Sequence, residues 1–320
     1  MARPPRNPLI GMREGVSPSC VALPPGPWAT VLDFLSDRLS NVSRSEWAER
    51  MAQGQVLLDN GQALRSNLPY QHSQRLYYFR HRPAESALPF TASIVFEDEL
   101  LLVADKPHFM PVTPSGPYVQ QSLLVQLKRL TACEDLTPLH RIDRETAGLV
   151  LFSKRPQDRN AYQALFRDKT IHKVYQAVAP YRSNSGPNSD PDSGPDLQLP
   201  RVHTSRMVED AAQFFKMREV PGEPNSETRI QLLHREGQRA LYQLEPVTGK
   251  RHQLRVHMNA LGIPIEGDQF YPRVLRGPGE AEDFSQPLQL LAQAICLTDP
   301  VTGALRAFES KLRLNAPFPI

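Results

Sequence analysis

The sequence predicts an α+β protein with a mixed sheet and a small α/β module at its N-terminal end. Three observations lead to this prediction. Short apolar runs typical of strands are spread along the chain among a few helices, without the regular alternation of a doubly wound fold. Two helices and some short strands precede a proline-containing linker. The 320 residues, 40% of them hydrophobic, suffice for one large domain and one small module.

The small module is expected over residues 28–85, near the lower size limit for independent folding. Ser43 is a candidate N-cap, and Glu46 stands at the capping-box position three residues later. The predicted elements are helices over 28–39 and 43–52, strands over 56–58 and 76–79, and a tight turn at Asn60 and Gly61.

Residues 1–27 contain seven prolines and three arginines but no apolar run, so we predict a disordered tail rather than an export signal. No stretch of the chain approaches 18 consecutive apolar residues, and no membrane span is expected. The three cysteines, Cys20, Cys133 and Cys296, are far apart, which excludes a zinc ribbon and argues against a disulfide framework. A reducing cytoplasm is the simplest setting.

The large domain is expected over residues 88–320, after a linker at 83–89. A segment rich in Ser, Asn, Asp, Gly and Pro at 183–200 predicts a flexible surface insertion. The predicted strands are 94–96, 100–104, 149–152, 173–179, 213–217, 228–233, 239–244, 288–297 and 305–308, and the predicted helices are 120–130, 159–166 and 252–261.

Positive charge is concentrated at the N-terminal end. Residues 1–82 hold ten arginines, no lysine and six acidic residues, a net charge of +4, whereas the remaining residues have a net charge of −1. Such an end can attract a polyanion over a distance. At this magnitude an ordinary solvated surface explains the count equally well.

The first candidate site is the charged segment HRIDRETAG at residues 140–148, which abuts an apolar strand. Rigid folds often display catalytic side chains on such loops. The pattern alone favours another interpretation, in which Asp143 forms a surface ion-pair cluster with Arg141 and Arg144.

The second candidate is the segment TGKRHQLRVH at residues 248–257. In a helix, Arg251 and Arg255 lie four apart on one face, and a basic helix start suits a phosphate or a carboxylate. The segment lacks the glycine and the Ser or Thr of a Walker A loop. His252 and His257 are five apart with no HExxH frame, so they are expected to pack or cap rather than to bind a metal.

The third candidate is the strand segment KVYQA, in which Lys173 and Tyr175 point to the same side. An aromatic ring beside a cation can stack on a nucleobase. By itself the pattern favours an ordinary edge-strand tyrosine.

Taken together, the segments resemble the RluA-type pseudouridine synthases. HRIDRETAG is similar to that family's HRLDxxTSG motif, KVYQAVA to its KxYxAxV strand, and TGKRHQLRVHMNALGIPIEGDQFY to its TGRxHQIRVHxxxLGxPIxGDxxY segment. LLLVADKPHFMPVTPSG resembles the strand and loop that open its catalytic domain. The match covers roughly residues 90–310. Departures such as Ile142, Ala147, Lys250 and Arg251 are conservative or peripheral, and Ala292-Gln293 stands where the family has an HA dipeptide.

The resemblance implies a mostly antiparallel sheet of the pseudouridine synthase type and an enzyme that isomerises uridine in structured RNA. It assigns Asp143 as the catalytic carboxylate, Arg255 as its cationic partner and Tyr175 as the ring that stacks on the uracil and accepts or relays a proton. It implies that Arg141 fills the space left by a flipped base. We expect no metal or organic cofactor, and a monomer. Further RNA contacts are expected from His140, Arg144, Lys173, Lys250 and Arg251.

The N-terminal segment 31–64 also resembles the alpha-L RNA-binding domain that is often joined to these enzymes. Residues 64–80 are less typical and lack the usual Gly-Asp pair. The resemblance implies RNA contacts from this module, for which we expect Arg44 and Arg50.

Two other functions compete with this interpretation: a catalytically inactive RNA-binding protein on the same scaffold, and a nucleoside or RNA hydrolase with a carboxylate nucleophile. The presence of Asp143, Tyr175 and Arg255 together argues against the inactive scaffold. Both transfer RNA and ribosomal RNA are open as substrates.

Overall fold

The computed structural model describes residues 7–80, 85, 87–182, 198–275, 280 and 282–315. The chain divides into two compact units. The small unit comprises Met1–Ser86 and Thr113–Glu134, and the large unit comprises Ala87–Val112 and Asp135–Ile320.

The small unit contains a three-stranded antiparallel sheet and three helices. In the sheet, β3 lies between β1 and β2. The elements are β1 (Ser19–Ala22), α1 (Val31–Arg38), α2 (Arg44–Ala52), β2 (Val56–Leu58), β3 (Arg75–Tyr78) and α3 (Leu123–Thr131).

Side-chain caps start the first two helices. The Ser43 side chain accepts the N–H of Glu46, so the predicted N-cap is confirmed. The reciprocal capping box lies at the other helix, where Thr30 and Asp33 bond to each other's backbone N–H. Trp47 of α2 is buried in the core of this unit.

The small unit differs from the expectation for residues 1–27 and 28–85. Residues 19–22 form a strand rather than a disordered tail, and Ile10 and Leu23 are buried. The unit also includes α3, from much later in the chain. The Glu85 carboxylate accepts the N–H groups of residues 119–121, just before α3 begins. Prolines separate the short apolar segments of residues 1–27, so the sequence pattern did not predict this strand.

The large unit is built on an eleven-stranded sheet. The strand order is β10-β9-β11-β12-β8-β13-β7-β5-β4, with β14 added to β13 and β6 to β7. The elements are β4 (Ser93–Glu97), β5 (Leu101–Lys106), β6 (Thr137–Pro138), β7 (Ala147–Ser153), α4 (Arg159–Arg167), β8 (His172–Pro180), β9 (Arg201–Glu209), β10 (Met217–Val220), β11 (Ser226–Glu236), β12 (Arg239–Pro246), α5 (Gln253–Ala260), β13 (Leu290–Thr298) and β14 (Leu305–Glu309).

The sheet is mixed because one contact, between β13 and β7, is parallel, whereas the other strand pairs are antiparallel. Gly148 pairs with Ala292 at this parallel contact. Its φ is +109°, and a Cβ there would collide with the backbone of Ala292. The predicted α+β fold with a mostly antiparallel sheet is confirmed.

Two apolar clusters hold the helices of the large unit against its sheet. Tyr162 of α4 packs with side chains of β5, β7 and β13. Leu254 and Met258 of α5 pack with side chains of β8, β11 and β12. This second contact matters for function, because α5 carries the segment singled out by its basic residues.

Some predicted elements differ from the structure. Strand β9 was not predicted, and the strand expected over 213–217 starts only at Met217. Most of the predicted insertion at 183–200, namely residues 183–197, lies outside the described residues, as does part of the predicted linker at 83–89. Within the described part of the chain, none of the helices has the length and apolarity needed to cross a membrane.

Candidate active site

Asp143 lies in the loop that leads into β7. The Thr146 N–H bonds to the Asp143 carbonyl at 3.2 Å, which closes the loop just before the buried strand. The Asp143 side chain is 22% exposed. The loop therefore presents a carboxylate that is partly screened from solvent but open on one side.

The Arg255 side chain of α5 reaches the same place and is fully buried. Its Nη1 lies 3.4 Å from Asp143 Oδ2 and 3.6 Å from Glu145 Oε2. Its Nε and Nη2 each donate to the Asp268 carboxylate at 2.7 Å. One guanidinium is thus shared by three carboxylates, and Asp268 holds it through two parallel bonds.

Asp268 fixes the orientation of Arg255. Its side chain is 1% exposed, and Oδ1 also accepts the backbone N–H groups of Phe270 and Tyr271. Burial opposes the charged form of Arg255, but hydrogen bonding to Asp268 and the nearby Asp143 raise the pKa of Arg255 further above its ordinary value. The guanidinium therefore remains charged beside Asp143.

A buried lysine at the end of β5 supports the loop that carries Asp143. Lys106, the last residue of β5, donates from Nζ to the carbonyls of Pro107 at 2.9 Å and Arg144 at 3.0 Å. Burial lowers the pKa of Lys106 to about 7, against the opposing influence of Glu145 and Asp143. The bond to the Arg144 carbonyl fixes the backbone next to Asp143.

Tyr175 on β8 is half-buried and packs against the cluster that includes α5. Burial, and then the charge of Asp143, raise the pKa of Tyr175 above its ordinary value. The phenol is therefore neutral, which suits stacking on a base but opposes the predicted role as a proton acceptor. Lys173, two residues earlier on β8, is also half-buried, and burial lowers its pKa.

The two residues that precede Ile142 have different environments. Arg141 is exposed and available to an incoming RNA. The His140 ring stacks on Phe166 at 4.7 Å between centroids, and its Nε2 accepts the Leu151 N–H at 3.1 Å. Burial, and then Lys173, lower the pKa of His140 to about 3. The structure therefore gives the His140 ring a structural role, and its predicted contact with RNA stays a prediction.

Two arginines that are predicted to contact RNA form hydrogen bonds with other residues of the protein. Arg144 forms an ion pair with Glu282 and bonds to Glu145 at 3.2 Å. The Arg251 Nη2 donates to the carbonyls of Phe214 at 2.7 Å and Lys216 at 3.1 Å. Arg251 also precedes α5, so it does not share a helix face with Arg255 as predicted.

Lys250, in the turn before α5, is exposed. Its backbone N–H donates to Gln253 Oε1 at 3.0 Å, so the ammonium group is not needed to shape the turn. Lys250 and Arg251 are both exposed, but the Arg251 guanidinium already bonds to two backbone carbonyls.

The two predicted RNA-contacting arginines of the small unit also differ from each other. The Arg44 side chain is 57% exposed and bonds to Asp33 at 2.6 Å. The Arg50 side chain is only 11% exposed, bonds to Glu46 at 2.6 Å and lies over the Trp47 ring. The Arg50 side chain therefore stabilises α2, whereas most of the Arg44 side chain is exposed to solvent.

Sequence reasoning missed three residues at the site: Asp268, Glu145 and Lys106. Each stood inside a segment that carried the resemblance, in GDQFY, RETAG and VADKP respectively. An acidic or basic residue inside an otherwise apolar or glycine-bounded segment was the available signal, because a buried charge requires a partner.

The comparisons with known proteins agree with this geometry. Residues 100–260 match the family model described as RNA pseudouridylate synthase. An uncharacterized RNA pseudouridine synthase of Synechocystis sp. is 31% identical over 78% of this chain and 80% of its own length. The dual-specificity RNA pseudouridine synthase RluA of Vibrio cholerae is 32% identical over 67% of this chain and 80% of its own length.

Two solved human structures are also similar. RNA pseudouridylate synthase domain containing 4 is 26% identical, with a TM-score of 0.51 over 69% of this chain and 88% of that chain. RNA pseudouridylate synthase domain containing 1 has a TM-score of 0.54 over 73% of this chain and 94% of that chain, and at 18% identity it supports the fold alone. The chain therefore belongs to the family of RNA pseudouridine synthases, which are isomerases.

Proposed function

We propose that this protein isomerises specific uridines of ribosomal or transfer RNA to pseudouridine, with Asp143 as the catalytic carboxylate. The observation that carries the proposal is the partly open Asp143 carboxylate 3.4 Å from the buried, doubly anchored Arg255. The ribosomal or transfer RNA class rests on the sequence resemblance to RluA-type synthases, and relatives named dual-specificity RNA pseudouridine synthases support an RNA substrate.

The reaction exchanges one bond to the ribose for another. The bond between uracil N1 and ribose C1′ breaks, the base turns, and a bond forms between uracil C5 and C1′. C5 loses its proton and N1 gains one, so the substrate and the product have the same composition. No electron acceptor is required, and we propose that the reaction uses no organic cofactor.

Asp143 must remain an anion inside a closed complex, where RNA displaces water. Burial disfavours a charged carboxylate, and a neighbouring cation offsets that cost. Arg255 supplies this charge to Asp143. The arrangement is compatible with three routes, in which Asp143 attacks the ribose, attacks the base, or assists formation of a glycal intermediate.

A uridine inside a folded RNA has to leave its stack before it reaches Asp143, at a cost of a few kcal/mol. We assign Arg141, exposed beside the catalytic loop, to fill the space that the base leaves. Tyr175 then stacks on the flipped uracil as a neutral phenol. Lys173 and Lys250 contribute positive charge toward the RNA.

The small unit is assigned to RNA capture, by its similarity to alpha-L RNA-binding domains and by the net positive charge of residues 1–82. The three free cysteines fit a reducing compartment, and we place the protein in the cytoplasm. We propose that it acts as a monomer.

Replacement of Asp143 with Asn tests the proposal, because the change keeps the side-chain shape and removes its charge. We expect the purified Asp143→Asn protein to form no pseudouridine in total RNA that lacks this enzyme's modifications, while its RNA affinity stays within a few-fold of wild type. Chromatography of digested nucleosides separates pseudouridine from uridine despite their equal mass. Turnover by the pure variant would exclude Asp143 as the catalyst.

The same assay distinguishes the competing functions. A synthase yields pseudouridine, a hydrolase releases free uracil, and an inactive RNA-binding protein leaves the nucleosides unchanged. Mapping pseudouridines in cells with and without the gene then identifies which uridines are substrates.

A further inference from the structure

A second cluster of polar side chains lies on the large unit and takes no part in the proposed reaction. It consists of His203 on β9, Glu219 on β10 and His257 on α5, whose ligand atoms all lie within 4.8 Å of one another. His203 Nε2 is 2.8 Å from Glu219 Oε1, and His257 Nε2 is 3.9 Å from the same oxygen.

We propose that His203, Glu219 and His257 bind one divalent metal ion of the zinc class, which ties α5 to the end of the sheet. Two imidazoles and one carboxylate are a common zinc ligand set, and they leave one position for water. Imidazole nitrogen selects Zn²⁺ and similar ions over Mg²⁺ or Ca²⁺, which prefer oxygen ligands.

The strand register brings the cluster together. His203 pairs with Thr228 of β11 and Ser205 pairs with Ser226, while Glu219 lies on the outer strand β10 opposite β9. Alternate residues of a strand share a face, so these polar side chains point to the side on which α5 presents His257. Three separate elements therefore converge on one point.

His257 is oriented by side chains around it, as metal-binding histidines usually are. Its Nδ1 lies 2.9 Å from Thr228 Oγ1, and Thr228 itself accepts from Gln253. With Nδ1 donating its proton to Thr228, Nε2 carries the lone pair that a metal needs, and it lies 3.9 Å from Glu219 Oε1. Ser205 and Ser226 lie 3.2 and 3.0 Å from this nitrogen and can bond to a metal-bound water.

The burial of the three ligands fits an ion that enters from solvent. The His257 side chain is fully buried, whereas those of His203 and Glu219 are 15% and 25% exposed. Ligand atoms about 2.1 Å from a tetrahedral zinc ion are about 3.4 Å apart. The observed separations of 2.8 and 3.9 Å lie on either side of this value, and all three ligand atoms lie within 4.8 Å of one another.

This proposal departs from the expectation of no metal, which was drawn from the sequence because the three ligands are far apart along the chain and His257 alone suggested packing. The alternative is a polar network that needs no ion, in which His203 simply bonds to Glu219. Metal binding by the full-length protein distinguishes the two.

The experiment uses full-length protein freed of metal by a chelator and then titrated with Zn²⁺ or Co²⁺. We expect one ion per chain, a Kd for Zn²⁺ below about 1 µM, and a Co²⁺ absorption spectrum of four- or five-coordinate intensity. Zn²⁺ should also raise the Tm, because it binds the folded state alone. His203→Ala and Glu219→Gln should each weaken Zn²⁺ binding by about a hundredfold and abolish the rise in Tm.

His72→Ala is the matched control. His72 is an exposed histidine of the small unit, so its replacement should leave the Zn²⁺ affinity unchanged. His257 is left unchanged because α5 also carries Arg255. The absence of stoichiometric binding, a six-coordinate Co²⁺ spectrum, or equal Zn²⁺ affinity of wild type and both ligand variants would each overturn the proposal in favour of a metal-free network.

Discussion

At the level of single residues, the hydrogen bonds of the Arg255 guanidinium determine how firmly the proposed catalytic carboxylate is held. Asp268 accepts from Nε and Nη2 at 2.7 Å, whereas Asp143 accepts from Nη1 alone, at the longer distance of 3.4 Å. Asp143 thus receives positive charge without being locked into a two-bond ion pair. A carboxylate held this loosely can still move toward a ribose or a base.

Arg255 should matter far more than Arg251, its neighbour in the same motif. In Arg255→Ala the buried Asp268 and the nearby Asp143 lose their shared cation, and breaking a buried pair typically costs about 3–5 kcal/mol. We expect Arg255→Ala to lose both pseudouridine formation and thermal stability. Turnover assays and thermal unfolding of the pure protein measure the two effects.

Arg251→Ala is the comparison, because its exposed side chain bonds mainly to two carbonyls of the β9–β10 region. Its activity should fall by less than tenfold. Equal losses in the two variants would show that Arg255 does not have the special role given to it here.

His140 should contribute a pH dependence to stability. Its pKa falls from an ordinary value of 6.5 to about 3 on folding, so the unfolded chain binds the proton more tightly. The stabilisation is complete above about pH 6.5 and is lost as pH falls toward 3. By pH 4 the loss is at most about 3 kcal/mol.

His140→Gln should remove this dependence, since a Gln oxygen can accept the Leu151 N–H and does not titrate. Urea unfolding at pH 7 and pH 4 measures the effect as a smaller difference in unfolding free energy than in wild type. A difference equal to that of wild type would mean that His140 is not buried as a neutral ring.

At the level of elements, the sequence predicted most helices and the apolar strands but not β9. The residues of β9 that face α5 include His203 and Ser205, so the strand lacks the alternating apolar face that marks a half-buried strand. Its neighbour β10 was predicted too early for a different reason, because the apolar pair Phe214 and Phe215 precedes the strand. Polar residues on the inward face hide a strand from pattern analysis.

A single methyl group added at Gly148 should disrupt the contact between β7 and β13. The Gly148 φ of +109° disfavours any side chain, and the Ala292 backbone occupies the space for a Cβ. Gly148→Ala should therefore lower the unfolding free energy by about 2–4 kcal/mol by forcing β7 and β13 apart. Denaturant unfolding tests this.

Gly249→Ala is the matched control, since Gly249 has open space around its Cβ position and its φ lies outside the left-handed region. Its stability should stay within about 0.5 kcal/mol of wild type. Similar losses in the two variants would mean that the β7–β13 contact tolerates a side chain.

At the level of the whole molecule, the sequence predicted only those residues of the candidate site to which a family motif assigns a role. Asp143, Tyr175 and Arg255 were found by resemblance, but Asp268 and Lys106 received no role. Their importance arises from contacts between residues distant in sequence, such as the bond from Lys106 to the Arg144 carbonyl. The sequence also did not reveal that His140 and Arg50 bond to other residues of the protein, since neither charge nor ring type shows whether a side chain is already used inside the fold.

The extent of the small unit could not be predicted from the sequence either. Because the small unit also includes Thr113–Glu134, removing residues 1–85 would dismantle a compact unit rather than detach a module. Its proposed role in RNA capture is better tested by removing charge from its surface. Arg38 is exposed at the end of α1, and Arg44 is exposed although it bonds to Asp33.

The combined Arg38→Gln and Arg44→Gln variant should capture RNA more weakly but convert it at the normal rate. We expect a raised KM, a nearly unchanged kcat and a shallower dependence of RNA affinity on salt, because each lost phosphate contact lowers the logarithmic slope by about 0.9 on a duplex and less on single strands. Arg50→Gln is the control: its largely buried pair with Glu46 contributes to α2, so its Tm should fall while the salt slope stays constant. If the double variant keeps the wild-type slope, the small unit serves stability rather than RNA capture.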